Sequence, residues 1–204
     1  MKVLGINGSP IKGGNVDILI QEMIKGIKGK GIEEEKVEDK IFYLDDLKIM
    51  PCKSCGEAPP EPDLCLYHDD MDLLYPELLS SNFFILGSPI YFDSVSAQMK
   101  LFVDRCNCFK PLITNEDDIY SFVHRKEVLS SPRKGIIILV GGKRQRFDLA
   151  LSILKGFFKW TEIKFFDKIL YSHDDWEIGG VKKDKDVLRK AFETGRKMVS
   201  EAQP

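Results

Sequence analysis

Residues 2–20 have the sequence KVLGINGSPIKGGNVDILI, in which an apolar run leads through a glycine-rich turn into an amphipathic pattern. Lys2 to Ile6 is typical of a buried strand that enters a turn. From Asn15 onward the apolar residues recur every three or four positions, which predicts a helix with Asn15 as its N-cap. These apolar residues are Val16, Ile20, Met23, Ile24 and Ile27. A strand, a glycine-rich loop and a helix in this order predict one unit of a parallel sheet.

The same alternation of strands and helices continues along the chain. Further strands are predicted at 36–44, 83–87, 135–141 and 162–171, and further helices at 69–79, 94–109, 147–158 and 186–202. Five strands that alternate with helices predict an α/β fold, a doubly wound five-stranded parallel sheet covered on both faces. We expect a single domain over 1–204, with a Cys- and Pro-rich excursion at 45–68 and a loop or insertion at 111–134.

Length and composition exclude several classes of protein. The 204 residues are 43% hydrophobic and 30% charged, which suits one globular domain that needs no disulfides. The 30 Lys and Arg residues nearly balance 32 Asp and Glu residues, so we expect no nucleic-acid partner. The sequence has no apolar run near the ~20 residues that span a bilayer, and its first residues lack the apolar core of a secretion signal. Five closely spaced cysteines favour a reducing cytoplasm over a disulfide scaffold.

The loop from Asn7 to Asn15 is a candidate anion site. In a doubly wound sheet, ligands bind at the carboxyl ends of the strands, which directs attention to the loops after Ile6, Leu86 and Val140. In the first of these, backbone N–H groups and a helix N-terminus would meet an anion, helped by Ser9, Asn15 and Lys12. A plain strand-to-helix turn remains the alternative, because the loop matches neither Gly-x-Gly-x-x-Gly nor the Walker sequence.

The second loop, 87–96, has the sequence GSPIYFDSVS and combines two aromatic residues with small polar ones. Tyr91 and Phe92 fall outside any strand or helix period, which favours a binding role over a core position. A flat conjugated ring needs such walls, together with backbone donors for its heteroatoms.

Several separated motifs in this order carry a family resemblance. They are Gly8-Ser9-Pro10 with Gly14-Asn15, Asp69-Asp70-Met71, Gly87-Ser88-Pro89-Ile90-Tyr91-Phe92, Val95-Ser96-Ala97-Gln98-Met99-Lys100 and Asp104-Arg105. Together they resemble the NADPH-dependent FMN reductase group, and within it the iron–sulfur flavoprotein family, over the first half of the chain. The resemblance implies a flavodoxin-like fold that binds FMN. It also implies an oxidoreductase that takes hydride from NAD(P)H and passes electrons to a quinone, a flavin or a protein.

The resemblance also implies the residues that hold FMN. Its phosphate would lie against Ser9, Lys12, Gly14 and Asn15, and Pro10 and Val16 in the same loop would also contact the cofactor. Its ring would lie against Pro89, Ile90, Tyr91, Phe92, Ser94 and Ser96, closed by Gly141, Gly142 and Lys143. Ile11 and Val16 stand where the family often has a basic residue and a threonine, which predicts a looser grip on the phosphate. With the flavin carrying the chemistry, we nominate no side chain as acid, base or nucleophile.

The cysteine segment, residues 45–68, leaves three interpretations open. In the iron–sulfur flavoprotein family four cysteines in this segment ligate a four-iron cluster, but here the third position is Ala58. The spacing of Cys52, Cys55, Cys65 and His68 would also suit a tetrahedral zinc ion. The third interpretation is that the cysteines are free remnants of a lost site.

Two further patterns bear on partners. The basic run Lys143-Arg144-Gln145-Arg146 follows a strand end and could attract the phosphates of NADPH, although most charge runs are simply solvated. The predicted helix over 94–109 is apolar on two faces, which favours a homodimer or homotetramer. The alternatives to a reductase are an FMN electron carrier without NAD(P)H activity and a binding module that is stabilised by zinc and has lost its flavin site.

Overall fold

A computed structural model describes residues 1–29, 37–54, 63–109, 133–174 and 177–200. The strands are β1 (Lys2–Asn7), β2 (Glu38–Tyr43), β3 (Phe83–Tyr91), β4 (Ser94–Val95), β5 (Lys134–Gly142) and β6 (Lys164–His173). The helices are α1 (Asn15–Ile27), α2 (Met71–Ser80), α3 (Ala97–Arg105), α4 (Asp148–Trp160) and α5 (Lys185–Ser200). Short 3₁₀ turns lie at Leu44–Asp46, Cys106–Phe109 and Gly180–Lys183.

Five parallel strands form the sheet, in the order β2-β1-β3-β5-β6. The short strand β4 pairs antiparallel with the end of β3. Without β4 the order is 2-1-3-4-5, which is the flavodoxin-like arrangement with its switch point between β1 and β3. The predicted fold class, including the number of parallel strands, is confirmed.

The sheet separates two apolar cores, because alternate residues of each strand point to opposite faces. On one face Leu4, Phe84 and Ile137 pack with α2, α3 and α4. On the other face Val3 and Ile85 pack with α1 and α5. The central strands are buried on both faces, as a parallel sheet between two helical layers requires.

Helices α1 and α5 approach each other through two glycines. A Cβ atom on Gly26 of α1 would lie 1.9 Å from the backbone oxygen of Phe192 in α5. A Cβ atom on Gly195 of α5 would lie 2.2 Å from the backbone oxygen of Met23 in α1. Both distances are shorter than any real contact, so this layer depends on glycine at both positions.

The predicted starts of α1 and α3 are wrong. Helix α1 has Gly14 rather than Asn15 as its N-cap, and Asn15 is the first helical residue. The predicted helix over 94–109 begins only at Ala97, because Ser94 and Val95 pair with β3 and Ser96 caps the helix by accepting a hydrogen bond from the Met99 N–H. Of the predicted loop at 111–134, residues 111–132 lie outside the described residues, and Lys134 belongs to β5.

Candidate functional site

A cavity of about 500 Å³ lies where β1, β3 and β5 end. This is the edge of the sheet at which doubly wound folds bind their ligands, and the volume is within the range of small-molecule sites. Its walls are Ser9, Ile11, Gly14, Asn15, Val16, Pro89, Ile90, Tyr91, Val140, Gly141, Gly142, Lys143, Arg144, Gln145, His173, Asp174, Glu177, Ile178 and Gly179.

One end of the cavity is built to receive an anion. Ser9 contributes a hydroxyl, and Asn15 and Val16 lie in the first turn of α1, where backbone N–H groups have no helical acceptor. The loop that presents them, 7–15, is called the phosphate loop below. It is fixed locally, since the Asn7 side chain accepts a hydrogen bond from the Ser9 N–H at 2.8 Å and the Ser9 hydroxyl accepts one from the Ile11 N–H at 3.2 Å.

The Asn15 side chain has a defined orientation. Its Oδ1 accepts a hydrogen bond of 2.9 Å from the backbone N–H of Val181, in the 3₁₀ turn after β6. Because the oxygen is committed to this contact, the Nδ2 group is the part of the amide left for a ligand. Nδ2 can only donate, which suits a phosphate oxygen. This orientation suits the predicted contact of Asn15 with an anion.

A buried carboxylate holds the far side of the phosphate loop. Asp17 accepts hydrogen bonds from the Gly13 N–H at 2.8 Å, from Gln21 at 2.9 Å and from the Tyr43 hydroxyl at 2.9 Å. Burial, together with this hydrogen bond and the negative charge of Asp17, raises the pKa of Tyr43. The bond to Gly13 fixes a residue with a left-handed φ of 71°, a conformation that favours glycine.

The other end of the cavity has mostly apolar walls. The end of β3 supplies Pro89, Ile90 and Tyr91, and the end of β5 supplies Gly141 and Gly142. Tyr91 is about half exposed. An anion-binding end joined to such walls fits the phosphate and the ring of FMN.

The predicted loop after Leu86 is a hairpin, because β3 continues to Tyr91 and turns back into β4. Phe92 and Asp93 form its tip, with φ values of 50° and 60°. Two successive left-handed residues are typical of a type I′ turn, in which Asn and Gly are the usual residues. The Phe92 side chain is fully exposed. A bulky aromatic residue here costs backbone strain, and such strain often marks a functional site.

The structure brings most of the predicted FMN residues together. Those that line the cavity are Ser9, Gly14, Asn15, Val16, Pro89, Ile90, Tyr91, Gly141, Gly142 and Lys143. Those that do not are Pro10, Lys12, Phe92, Ser94 and Ser96. Lys12 instead pairs with Asp46 at 2.7 Å. Ser96 is buried, and its hydroxyl donates to the Gly8 carbonyl at 2.7 Å, so it ties α3 to the phosphate loop.

The residues predicted to hold FMN leave out one wall of the cavity, formed at the carboxyl ends of β5 and β6 and in the loops that follow; within it Arg144 and Gln145 were named only as part of the basic run. The residues of this wall are Val140, Arg144, Gln145, His173, Asp174, Glu177, Ile178 and Gly179, together with Ile11 in the phosphate loop. The rule of strand ends applies to β6 as well as to its neighbours. The loop after Tyr171 would therefore have pointed to this wall.

The cysteine segment is anchored by an ion pair. Arg105 of α3 pairs with Asp69, and the two side chains are 1% and 7% exposed. The guanidinium also donates to the carbonyl oxygens of Met50 at 3.1 Å and Tyr67 at 3.0 Å, and to the Cys65 sulfur at 3.6 Å. Burial alone would raise the pKa of Asp69, but hydrogen bonds from Arg105 and two backbone N–H groups hold it below its usual value. One arginine thus connects both ends of the segment.

The predicted metal ligands do not come together among the described residues. Cys55, like Ala58, lies outside those residues, Cys52 is exposed, and His68 faces Asp72 at 3.1 Å. Within the ranges that the structure describes, no group of three or more His, Cys, Asp or Glu side chains could hold a metal ion. Zinc and an iron–sulfur cluster are therefore not supported.

The remaining cysteines are thiols of the core. Cys106 is buried, and burial raises its pKa well above the usual value. Burial also raises the pKa of Cys108 to about 12. Metal ions bind the thiolate form, which such burial disfavours.

The sequence model of a family described as NADPH-dependent FMN reductase matches residues 1–168. This chain belongs to that family. The predicted resemblance is confirmed. The part of the chain that the structure describes contains no helix both long and apolar enough to span a membrane.

Individual relatives agree with the family assignment. An iron–sulfur flavoprotein of Methanocaldococcus jannaschii is 39% identical over 105 residues, which are 52% of this chain and 51% of the relative, so the match spans about half the length of that protein. An iron–sulfur flavoprotein of Archaeoglobus fulgidus is 30% identical over 97% of this chain and 95% of its own length. A solved structure named flavone reductase shares the fold, with a TM-score of 0.70 at 18% identity over 100% of this chain and 65% of that chain.

Proposed function

We propose that this protein is an FMN-dependent oxidoreductase that accepts hydride from a reduced nicotinamide nucleotide and passes electrons to a quinone, a free flavin or a redox protein. The observation that carries the proposal is the cavity at the carboxyl ends of β1, β3 and β5, with anion donors at one end and mostly apolar walls at the other. When bound there, FMN supplies the hydride- and electron-transfer chemistry. The family assignment supports the choice of this cofactor.

The chain's own residues would bind and orient the cofactor. The Ser9 hydroxyl, the Asn15 amide and the first N–H groups of α1 would hold the phosphate, as uncharged donors reinforced by the helix dipole. Pro89, Ile90 and Tyr91 would fix the plane of the ring, and Gly141 and Gly142 would present backbone to it on the β5 side of the cavity. No cation comes from Ile11, and Lys12 is paired with Asp46, so we expect a moderate affinity for FMN.

The first experiment is an absorption spectrum of the protein purified without oxygen and incubated with FMN, before and after NADPH or NADH is added. Two flavin bands that bleach with nucleotide would support the proposal. Flavin bands that persist after the nucleotide is added would support an electron carrier instead of a reductase. A protein that retains no flavin after gel filtration would overturn the assignment of the cavity.

Variants of Asn15 test the phosphate end. Asn15→Asp keeps an oxygen for the Val181 N–H but replaces the donor by a negative charge, so we expect FMN affinity to fall at least about tenfold. Ser9→Ala should lower it less, because one neutral donor is lost. Ser152→Ala, on the exposed face of α4, is the control and should retain FMN as the wild type does. Unchanged affinity in Asn15→Asp would remove Asn15 from the site.

We also propose that the protein is a homodimer or homotetramer in the cytoplasm. On α3 the stripe that includes Met99 and Phe102 is buried, whereas Ala97 is exposed and Leu101 is half-buried, so the second apolar face is open in the single chain. The cytoplasmic location rests on the odd, closely spaced cysteines. Light scattering at micromolar concentration tests the assembly, and a mass of 23.3 kDa would contradict it.

A further inference from the structure

The basic turn, residues 143–146, is held rigidly at the mouth of the cavity. The Gly142 N–H donates to Gln145 Oε1 at 2.7 Å, and the Gln145 N–H donates back to the Gly142 carbonyl at 3.0 Å. The Arg146 N–H donates to Asp93 at the tip of the hairpin, at 2.8 Å. These bonds fix the backbone on both sides of Arg144, so this side chain projects from a defined position.

Among the residues that the structure describes, the charged side chains of the basic turn are paired, with one exception. Lys143 pairs with Asp174 across the cavity rim. Arg146 pairs with Asp148 through two hydrogen bonds of 2.8 and 3.1 Å and does not line the cavity. The Arg144 side chain is exposed and lines the cavity, and no hydrogen bond or ion pair joins it to any residue that the structure describes.

Neither of the two acidic side chains that line the cavity, Asp174 and Glu177, is paired with Arg144. Asp174 is taken by Lys143, and Glu177 pairs with Lys183. Of the lysine and arginine side chains that line the described cavity, Arg144 alone therefore has its guanidinium available for an anion. Arginine presents a planar fork of donors that matches the oxygens of a phosphate.

The phosphate of FMN is not the anion that Arg144 faces. The phosphate loop follows β1, whereas Arg144 follows β5, and β3 lies between these strands. Two strand spacings separate the sites by about 10 Å. The phosphate loop also has its own donors in Ser9, Asn15 and the N-terminus of α1. Arg144 instead lies beyond Gly141 and Gly142, at the end assigned to the ring.

We propose that Arg144 binds a phosphate group of the nicotinamide nucleotide and thereby sets the affinity for the electron donor. This inference rests on the proposed function and names the residue that recognises its donor. The phosphate is either the 2′-phosphate, which only NADPH carries, or the pyrophosphate, which NADPH and NADH share. Arg144 acts in binding and positions the nucleotide beside the ring.

The test compares two arginines of the same turn in FMN-loaded protein. Dissociation constants for NADP⁺ and NAD⁺ are measured from the change in flavin fluorescence, and KM values are measured for NADPH and NADH. We expect Arg144→Met to raise the NADP⁺ dissociation constant about tenfold, and Arg144→Lys to raise it by about threefold because the charge stays and the fork is lost. Arg146→Met, whose side chain is paired with Asp148 outside the cavity, should change neither constant. FMN content should equal that of the wild type in all variants.

The outcomes distinguish the 2′-phosphate from the pyrophosphate as the group that Arg144 binds. They also distinguish a failure of this inference from a failure of the proposed reductase function. Weaker binding of NADP⁺ alone would assign Arg144 to the 2′-phosphate, and weaker binding of both nucleotides would assign it to the pyrophosphate. Unchanged constants in Arg144→Met would overturn the inference, as would a loss of FMN in that variant. A wild type that binds NADP⁺ but is not reduced by NADPH would refute the proposed reductase, while the binding comparison would still decide the role of Arg144. A wild type that binds neither nucleotide would refute both.

Discussion

The phosphate loop and the cysteine segment are both irregular, yet different kinds of contact hold them. Inside the phosphate loop several partners are close in sequence, as Gly13 and Asp17 are, four residues apart, and distant hydrogen bonds to Ser96 and Val181 add to these local contacts. The cysteine segment depends on Arg105, which is 36 residues away from Asp69 along the chain. Local contacts form whenever the loop forms, whereas the distant contact exists only after α3 has packed. We therefore expect the cysteine segment to be the more sensitive of the two to a single substitution.

The largest expected effect comes from Arg105→Met. This change leaves Asp69 as a buried charge without its cation and removes the donors to Met50 and Tyr67, so we expect a loss of about 3–5 kcal/mol in the free energy of unfolding. Urea denaturation followed by circular dichroism measures it. The control is Lys100→Met, which breaks the exposed pair with Asp104 and should cost at most about 0.5 kcal/mol. Equal losses in both variants would show that Arg105 does not anchor the segment.

The same ion pair predicts how stability depends on acid. Because the folded state lowers the pKa of Asp69, this carboxylate contributes stability above its unfolded pKa of about 4, and the contribution is lost as the pH falls through the lower folded pKa. Asp69→Asn should therefore reduce the fall in unfolding free energy between neutral and acidic pH. Urea midpoints at a series of pH values measure this. If the unfolding free energy of Asp69→Asn fell as steeply at acidic pH as that of the wild type, Asp69 would not be the source of the acid dependence.

A smaller effect is expected in the phosphate loop from Gly13→Ala. A Cβ atom there would meet no atom within 4 Å, so the cost is the left-handed backbone alone, about 1–2 kcal/mol. Gly156→Ala is the matched control, since its Cβ is equally unhindered but lies in helix α4, where alanine should gain up to about 1 kcal/mol. Thermal denaturation distinguishes them. If both variants lost stability, the left-handed φ of Gly13 would not be the cause of the loss.

The smallest expected effect is a gain in stability at the hairpin tip. Phe92→Asn places a residue that tolerates the left-handed conformation where a fully exposed Phe now stands, and it should add about 0.5–1 kcal/mol. Leu149→Asn is the control, because it also replaces an exposed apolar residue but on a regular helix, where asparagine should cost a few tenths of a kcal/mol. Melting temperatures of the two variants should move in opposite directions. A fall in both would remove strain as the explanation.

Much of the fold and one end of the site follow from local patterns. The run Ile136-Ile137-Ile138-Leu139-Val140 predicts a strand buried on both faces, and β5 is such a strand. The glycine-rich turn before α1 predicts an anion site, and Ser9 and Asn15 do line the cavity. The hairpin after β3 was not predicted, because no Asn-Gly or Asp-Gly pair marks its turn, and Phe92 adopts a left-handed φ that its residue type rarely takes.

The sequence by itself determined the alternation of strands and helices, the parallel sheet and the order of the family motifs, because these depend on periodicity and on contacts between near neighbours. Only the tertiary structure decided that Asn15 accepts a hydrogen bond from Val181 and that Arg105 anchors the cysteine segment. It also decided that the residues after β6 complete the cavity. Each of these contacts joins groups that are far apart in the chain. Their formation depends on how the helices pack on the sheet, which no short motif encodes.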